Sequence, residues 1–256
     1  MDFRIVIPAR YHSTRLPHKL LREIAGKPLL QYAYEQALAS GARSVVIATD
    51  HANIMEAAKS WGAQVCMTDV AHQSGTDRLA EVAALLGYAD DEIIVNVQGD
   101  EPLLPPALIE QVAKNLHDYS AASVSTLGEK IEESALLFNP NVVKVVFDQA
   151  GYALYFSRAP IAWCRDEFAE QAAHTLPLPT NISHYRHIGL YAYRVGFLKN
   201  YSQLKLCELE NAEKLEQLRV LWHGYKIHVA LAAEAHPPGV DTLEDLQRVA
   251  QFLKHA

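Results

Sequence analysis

The alternation of short apolar strands with amphipathic helices over the first 120 residues constrains the fold of this chain most strongly. Four runs rich in β-branched residues are predicted to be buried strands, at positions 3–7, 44–49, 64–67 and 92–97. Apolar residues at helical spacing follow each strand and predict helices over 29–40, 52–61, 74–86 and 105–116. This order is typical of a mostly parallel sheet that carries helices on both faces.

The second half of the chain has more predicted strands and fewer predicted helices. Strands are expected at 122–127, 142–148, 152–158, 188–194 and 226–231, and the second and third should form a hairpin across a three-residue loop. A long helix is predicted over 208–222 and a last one over 242–253, whereas 175–183 has the composition of a flexible loop. Because no linker separates the halves, we expect a single α/β domain over 1–256, whose second half extends the central sheet and adds a smaller sheet subdomain.

The composition argues against several classes of protein. Half of the 256 residues are apolar, and the net charge of -7 is unsuited to a general nucleic-acid binder, which needs a basic face. No stretch approaches the roughly 20 apolar residues of a membrane helix, and the chain begins in a predicted strand rather than a signal peptide. Its cysteines, Cys66, Cys164 and Cys207, fit neither a disulfide framework nor a metal cluster. We therefore expect a cytoplasmic protein that binds neither nucleic acid nor membranes.

A cationic loop follows the first predicted strand. Four basic residues lie within ten positions, with hydroxyl-bearing residues between them: Arg10, Arg15, His18 and Lys19. In open α/β sheets, ligands bind at the carboxyl ends of the strands. Cationic side chains, hydroxyls and backbone N–H groups together suit a polyphosphate. A solvated basic loop is the alternative interpretation.

Two aspartates are the candidate metal ligands. Asp100 follows the fourth predicted strand, and Asp241 precedes the last predicted helix. Mg²⁺ usually takes one or two protein carboxylates and completes its shell with phosphate and water oxygens. Taken singly, each residue has a structural alternative. Asp100 could belong to an ordinary turn, and Asp241 could simply favour the start of a helix with the capping-box pattern Thr242-x-x-Asp245.

Ser74–Arg78 is a second candidate for anion binding. A hydroxyl and a glycine at the start of a helix leave backbone N–H groups available to an anion or a base edge. The spacing Ser74-x-x-Asp77 also matches a capping box, and the spacing alone favours that structural role.

Nine motifs, in order between residues 8 and 246, carry a resemblance to a known family. They are PARYHSTRLPHK, ATDH, HQSGTDRLAEV, VNVQGDEP, FNPNVVKVV, YALYFSRAPI, RHIGLYAYR, LEQLR and GVDTLEDL. The chain closely resembles the 3-deoxy-manno-octulosonate (Kdo) cytidylyltransferases of Gram-negative lipopolysaccharide assembly. The resemblance implies a nucleotide-diphospho-sugar transferase-like α/β fold, a homodimer, and Mg²⁺-dependent transfer of CMP from CTP to Kdo with release of pyrophosphate.

The resemblance also implies roles for individual residues. The residues expected to bind the nucleotide are Ala9, Arg10, Arg15, Lys19, Ser74, Gly75, Arg78 and Gln98. The residues expected to face the sugar are Arg158, His187, Tyr191, Glu213, Glu216 and Gln217. Asp100 and Asp241 are expected to hold Mg²⁺, and Arg10, Lys19 and Asp100 to act in catalysis. Residues 1–120 would then bind the nucleotide, and residues 121–256 would bind the sugar and form the dimer.

The chain departs from the family in the cationic loop. Where the family usually has Leu-Pro-Gly-Lys-Pro, this sequence has Leu16-Pro17-His18-Lys19-Leu20. Loss of the glycine removes easy access to positive φ angles, and loss of the proline loosens the chain after Lys19. This difference affects the expected loop conformation rather than the class of reaction.

Three alternative functions stay open from the sequence. The first is a cytidylyltransferase for a related acid sugar, such as 8-amino-Kdo or a sialic acid. The second is a glycosyltransferase with the same type of sheet, although the chain lacks the Asp-x-Asp motif that such an enzyme would use. The third is a non-catalytic nucleotide-binding regulator, which would not need two separated metal carboxylates.

Overall fold

A mixed β-sheet forms the centre of the molecule. The computed structural model describes residues 1–13, 16–72, 74–168 and 177–255. The strands of this described part are β1 (Arg4–Ala9), β2 (Glu23–Ile24), β3 (Lys27–Pro28), β4 (Ser44–Thr49), β5 (Gln64–Met67), β6 (Ile93–Asn96), β7 (Val124–Lys130), β8 (Lys144–Phe147), β9 (Ala153–Ser157), β10 (Tyr185–Arg194) and β11 (Ile227–Leu231).

The strand order confirms a mostly parallel central sheet that the second half of the chain extends. Seven strands follow the path β11-β7-β10-β6-β1-β4-β5. All neighbours on this path are parallel except for β10, which runs antiparallel to both β6 and β7. The predicted hairpin of β8 and β9 is antiparallel and joins the sheet through β10. A small separate antiparallel sheet consists of β2 and β3.

Helices cover both faces of the sheet, as the alternation predicts. Those of the described part are α1 (Leu29–Ala39), α2 (Ala52–Ser60), α3 (Gly75–Leu85), α4 (Pro106–Asp118), α5 (Ser134–Phe138), α6 (Val195–Tyr201), α7 (Glu208–Glu213), α8 (Gln217–Trp222) and α9 (Leu243–His255). None of them is long and apolar enough to cross a membrane.

Strand β1 shows how the two faces are built. Ile5 and Ile7 belong to the apolar core that includes residues of α1, α4 and α9, whereas Val6 belongs to the core that includes residues of α3, α6 and α8. Successive side chains of a strand point to opposite faces, so a continuous apolar run is needed where both faces are covered. The face under α3, α6 and α8 also carries the main cavity described below.

The predicted long helix over 208–222 is wrong, because the structure has two short helices there. Lys214 has a φ of 55° and ends α7, with its N–H bonded to the Glu210 carbonyl. Glu210 accepts two hydrogen bonds from Arg219 at 2.7 and 2.6 Å. In one continuous helix these residues would lie roughly 13 Å apart along the axis. The buried ion pair therefore requires the break, which the amphipathic pattern does not reveal.

Other differences are smaller. Helices α5 and α6 were not predicted, whereas β4 and β5 have the predicted bounds. Of the predicted flexible loop, residues 177–183 contain neither helix nor strand, and residues 175 and 176 lie outside the described part of the chain.

Candidate active site

Lys19, Asp100 and Asp241 meet in space. Lys19 Nζ lies 2.5 Å from Asp100 Oδ2 and 3.1 Å from Asp241 Oδ1. The lysine side chain is only 11% exposed, whereas the aspartates are 31% and 48% exposed. Two acids that are far apart in sequence therefore bind one ammonium group at the carboxyl end of β6, next to the cationic loop.

Backbone contacts explain why the two acids converge. The N–H of Val240 donates to the carbonyl of Asp100 at 2.9 Å, which joins the segment before α9 to the turn after β6. Gly239 favours this close approach, because a Cβ there would lie 3.2 Å from the Asp100 carbonyl oxygen, a tight contact. The neighbouring aspartate side chains are thereby held near the same point.

The start of α9 is capped, as the structural alternative for Asp241 supposed, but the capping carboxylate belongs to Asp245 and not to Asp241. Asp245 Oδ2 accepts hydrogen bonds from the backbone N–H groups of Asp241 and Thr242 at 3.0 and 2.9 Å. Burial alone would raise the pKa of Asp245, but these N–H groups, the Thr242 hydroxyl and Arg248 lower it to about 2. Thr242 and Asp245 therefore form the capping box of α9, and the Asp241 carboxylate binds Lys19 instead.

The aspartates line a cavity of about 430 Å³, here called the acidic cavity. Its walls include Gln98, Asp100, Glu101, Gly239, Asp241 and Asp245. The donor set fits Mg²⁺, because two carboxylate oxygens already converge on one cationic group and hard oxygen ligands are what this ion prefers. In the described residues, no group of three or more His, Cys, Asp or Glu side chains is arranged to hold a metal. An ion here would therefore complete its shell with water or substrate oxygens.

A second cavity of about 400 Å³, here called the main cavity, lies against β6 and β10. Its walls include Gly75, Thr76, Asn96, Gln98, His187, Gly189, Tyr191, Tyr193, Tyr201, Glu216 and Gln217. The alternate residues of β10 from His187 to Tyr193 share this face, as the period of a strand requires. Gln98 lines both cavities, so the two adjoin.

Apart from Lys214 and Glu216, the side chains that line the main cavity are neutral or readily kept neutral. Burial lowers the pKa of His187 to about 3, and its Nε2 hydrogen-bonds with the Thr126 hydroxyl at 2.9 Å. Burial also raises the pKa of Tyr191 well above its usual value. Burial raises the pKa of Glu216, although a hydrogen bond from Thr76 at 3.3 Å opposes the shift. Such a surface recognises hydroxyl and carbonyl groups by hydrogen bonding rather than by charge.

Four of the six residues predicted to face the sugar line the main cavity: His187, Tyr191, Glu216 and Gln217. The other two, Arg158 and Glu213, bond to each other instead. Arg158 Nε donates to the Glu213 carbonyl at 2.7 Å, and its Nη1 donates to the Pro140 carbonyl at 3.0 Å. The Glu213 carboxylate accepts hydrogen bonds from the Ser157 hydroxyl and the Arg158 N–H at 2.6 and 2.8 Å. This pair connects the end of β9 to α7.

The residues predicted to bind the nucleotide are more dispersed. Gly75 and Gln98 line the main cavity. Ser74 is the N-cap of α3, because its hydroxyl accepts from the Asp77 N–H at 3.1 Å and donates to the Asp77 carboxylate at 2.8 Å. The structural role that the spacing favoured is therefore confirmed for Ser74. Arg78 is fully buried, and its guanidinium binds Thr68 and, at 2.8 Å, Asp50 rather than a cavity wall.

Two further predicted nucleotide contacts, Ala9 and Arg10, lie at the end of β1, and a third is Arg15. Ala9 is the last residue of the strand and is buried. Arg10 is exposed, and its Nη2 donates to the His72 carbonyl at 3.0 Å. Arg15 lies outside the described residues. The nucleotide-binding roles of all three stay predictions.

Comparison with known proteins identifies the family. A family model described as cytidylyltransferase matches residues 4–227. The chain is 55% identical to the 3-deoxy-manno-octulosonate cytidylyltransferase of Pasteurella multocida, with 99% of each chain covered. It is 57% identical to the enzyme of the same name from Pseudomonas fluorescens, with 98% of each covered. The chain belongs to the 3-deoxy-manno-octulosonate cytidylyltransferase family.

Solved structures agree with the family and the fold. A CMP:2-keto-3-deoxy-manno-octonic acid synthetase in complex with CTP is 41% identical, with a TM-score of 0.89 over 100% of this chain and 99% of the other. A cytidylyltransferase from Leptospira borgpetersenii shares the fold at 17% identity, with a TM-score of 0.63 over 100% of this chain and 88% of the other.

The cytidylyltransferase keeps a left-handed residue in its cationic loop despite the histidine at position 18. His18 has a φ of 54° and a ψ of 33°. Its ring packs on Tyr11 with centroids 4.3 Å apart, and Tyr11 stacks on His51 at 3.8 Å. Asn53 Nδ2 donates to the Tyr11 hydroxyl at 3.1 Å. This ring stack stabilises a conformation that a non-glycine residue adopts only at a cost.

Five polar residues of the main cavity were not among the predicted site residues: Thr76, Asn96, Tyr193, Tyr201 and Lys214. A signal existed for Tyr193, since it lies two positions after Tyr191 in a predicted strand and must share its face. The same rule places Asn96 on the face of Gln98. Tyr201 carried no such signal, because the helix α6 on which it lies was not predicted.

Proposed function

We propose that this cytidylyltransferase transfers CMP from CTP to the anomeric hydroxyl of 3-deoxy-D-manno-octulosonate, giving CMP-Kdo and pyrophosphate. The observation that carries the proposal is the identity of 54–57% with proteins named for that activity over nearly the whole chain. This similarity favours Kdo over 8-amino-Kdo or sialic acid, and cytidylyl transfer over glycosyl transfer.

The residues around the acidic cavity suit an in-line attack of the sugar hydroxyl on the α-phosphorus of CTP. Catalysis of this type rests on positioning and on neutralising charge rather than on covalent chemistry by the protein. Arg10 and Lys19, on the loop after β1, would offset the charge that builds on the leaving pyrophosphate. Asp100 and Asp241 would hold Mg²⁺ and release Lys19 towards the phosphates. The bound ion would supply Lewis-acid polarisation.

The main cavity would hold the sugar. His187, Tyr191, Glu216 and Gln217 offer hydrogen-bonding groups to its hydroxyls, and Gln98 would lie where the sugar meets the nucleotide. Arg158 would bind the sugar carboxylate, for which a guanidinium fork is suited. In this role it would exchange its contacts with the carbonyls of Pro140 and Glu213 for the carboxylate oxygens.

We further propose that the enzyme is a cytoplasmic homodimer that acts in lipopolysaccharide assembly. A homodimer and a role in lipopolysaccharide assembly follow from the family resemblance. A cytoplasmic location is supported by the cysteines, which are free and buried.

The proposal is tested by measuring pyrophosphate release from CTP and Mg²⁺ with Kdo supplied, omitted, or replaced by 8-amino-Kdo or a sialic acid. We expect release only when an acid sugar is present, and the highest kcat/KM with Kdo. A higher kcat/KM with another sugar would assign that sugar as the substrate instead. Tight CTP binding without release in any mixture would support a nucleotide-binding regulator and contradict the proposal.

A further inference from the structure

Two residues that line the main cavity each carry a buried polar atom with no hydrogen-bond partner among the described residues. The atoms are Oδ1 of Asn96 and the hydroxyl of Tyr201, and the two residues are only 4% and 1% exposed. Leaving a buried polar group unpaired costs about 1–3 kcal/mol. Unsatisfied groups of this kind in a native fold call for an explanation. A ligand that enters the main cavity would provide one for both atoms.

The ring of Tyr201 is held firmly in place. It packs against Phe197 with centroids 5.9 Å apart, and the Arg219 guanidinium lies 4.8 Å from its centroid. Arg219 is itself fixed by the two hydrogen bonds to Glu210 across the break between α7 and α8. Burial raises the pKa of Tyr201 far above its usual value, so the hydroxyl keeps its proton and can donate it. The neighbours of the ring thus position a hydroxyl that nothing in the described protein uses.

Asn96 is the last residue of β6, and this strand lies between β1 and β10 in the sheet. Val6 of β1 and Tyr191 of β10 are its partners in the sheet register. Because side chains alternate along a strand, Asn96 shares the cavity face with Gln98. Its unpaired carboxamide oxygen is an acceptor only, so it needs a ligand that donates a hydrogen bond.

We propose that Asn96 and Tyr201 are two further sugar-contacting residues. Asn96 Oδ1 accepts a hydrogen bond from one sugar hydroxyl, and the Tyr201 hydroxyl donates one to another sugar oxygen. A polyhydroxylated acid sugar offers both kinds of group in one molecule. The inference rests on the proposed function, in which the main cavity holds Kdo. A site built to bond a particular hydroxyl rejects analogues that lack it, so this pair would contribute to sugar selection.

The test compares Tyr201→Phe and Asn96→Leu with the wild type, by KM for Kdo, KM for CTP and melting temperature. Each variant should raise the KM for Kdo about tenfold, which corresponds to the loss of one hydrogen bond, and leave the KM for CTP unchanged. The melting temperature of Tyr201→Phe should be unchanged or higher, since the removed hydroxyl has no partner in the free protein.

Tyr225→Phe is the matched control. Tyr225 also packs on Phe197, at 4.9 Å between centroids, but is not among the described residues that line the main cavity. This variant should change neither KM.

The outcomes separate this inference from the proposed function. If the wild type releases pyrophosphate with Kdo while the variants keep a normal KM for Kdo, this inference alone is overturned. A raised KM for CTP instead would assign the two atoms to the nucleotide and contradict it as well. A lowered melting temperature of Tyr201→Phe with an unchanged KM would make the hydroxyl structural. Absence of wild-type release with Kdo would overturn the proposed function and this inference together.

Discussion

The acidic cavity and the main cavity adjoin at Gln98, yet their walls have opposite physical character. In the acidic cavity, formally charged groups face one another and are partly exposed, as the pairing of Lys19 with Asp100 and Asp241 shows. In the main cavity, Tyr193 and Tyr201 are buried, and desolvation favours the neutral forms of His187 and Tyr191. One cavity is therefore suited to a phosphate–metal cluster and the other to the hydroxyl groups of a sugar.

The difference shows how one edge of a sheet can serve two ligand chemistries. Charged side chains are stable in the acidic cavity because their opposite charges offset each other and because they keep contact with water. A buried wall cannot carry unpaired charge, so its recognition relies on oriented hydrogen bonds. Substitutions in the two cavities should therefore impair the protein in different ways.

Asp100→Asn should have the largest effect. It removes one of the two carboxylates that converge on a cation, so we expect kcat to fall on the order of 10³-fold while the KM for Kdo changes little. The measurement is steady-state pyrophosphate release together with a melting curve. Asp118→Asn, at an exposed ion pair with Lys114, is the control and should leave both unchanged. Near-normal turnover of Asp100→Asn at saturating Mg²⁺ would show that this aspartate is not a metal ligand.

His187→Gln should change the pH dependence of stability. The pKa of His187 is about 3 in the fold against a reference value of 6.5. Between these values the unfolded chain binds a proton that the folded protein does not, so acidification favours unfolding. The free energy of unfolding should therefore decrease as the pH falls below about 6.5, with His187 contributing about 1.4 kcal/mol per pH unit.

Denaturant unfolding between pH 4.5 and 7 measures this contribution. Glutamine can still hydrogen-bond with Thr126 but does not titrate, so the variant should lose that part of the slope. Equal slopes for the wild type and His187→Gln would mean that the histidine is not held neutral by burial.

His18→Gly should have the smallest effect. Glycine removes the cost of a left-handed side chain, about 1–2 kcal/mol, but also removes the ring contact with Tyr11, about 0.5–1.5 kcal/mol. The two changes oppose each other, so the free energy of unfolding should stay within about 1 kcal/mol of the wild type. His18→Val loses the ring contact and keeps the backbone cost, so it should be the less stable variant. A stable His18→Val would show that the ring stack does not support the loop.

The two cavities also differ in how well the sequence predicts them. Lys19, Asp100 and Asp241 could be expected to converge, because each follows or precedes a recognisable element and parallel strands bring such ends to one edge. Asn96 could be placed only through its spacing of two from Gln98, because it ends an otherwise apolar strand. Tyr201 could not be placed at all, because it lies in a helix whose pattern is too short to recognise.

The fold, like the site, is predictable from the sequence only in part. The parallel strands were predictable because their apolar runs are continuous and bounded by turn residues. The break at Lys214 was not, because it depends on a left-handed backbone and on the long-range pair of Glu210 and Arg219. That break places residues 214–217 in the wall of the main cavity. Tertiary contacts thus determine the position of residues 214–217, which local sequence patterns do not predict.

The proposed mechanism depends most on the convergence of two acids on one divalent ion. A crystal structure of the enzyme with CTP and Mg²⁺ tests this directly. We predict a carboxylate oxygen of Asp100 and one of Asp241 at about 2.1 Å from the ion, with Lys19 Nζ turned towards the phosphates. An ion bound to the nucleotide with both aspartates remote from it, and still paired with Lys19, would contradict the account.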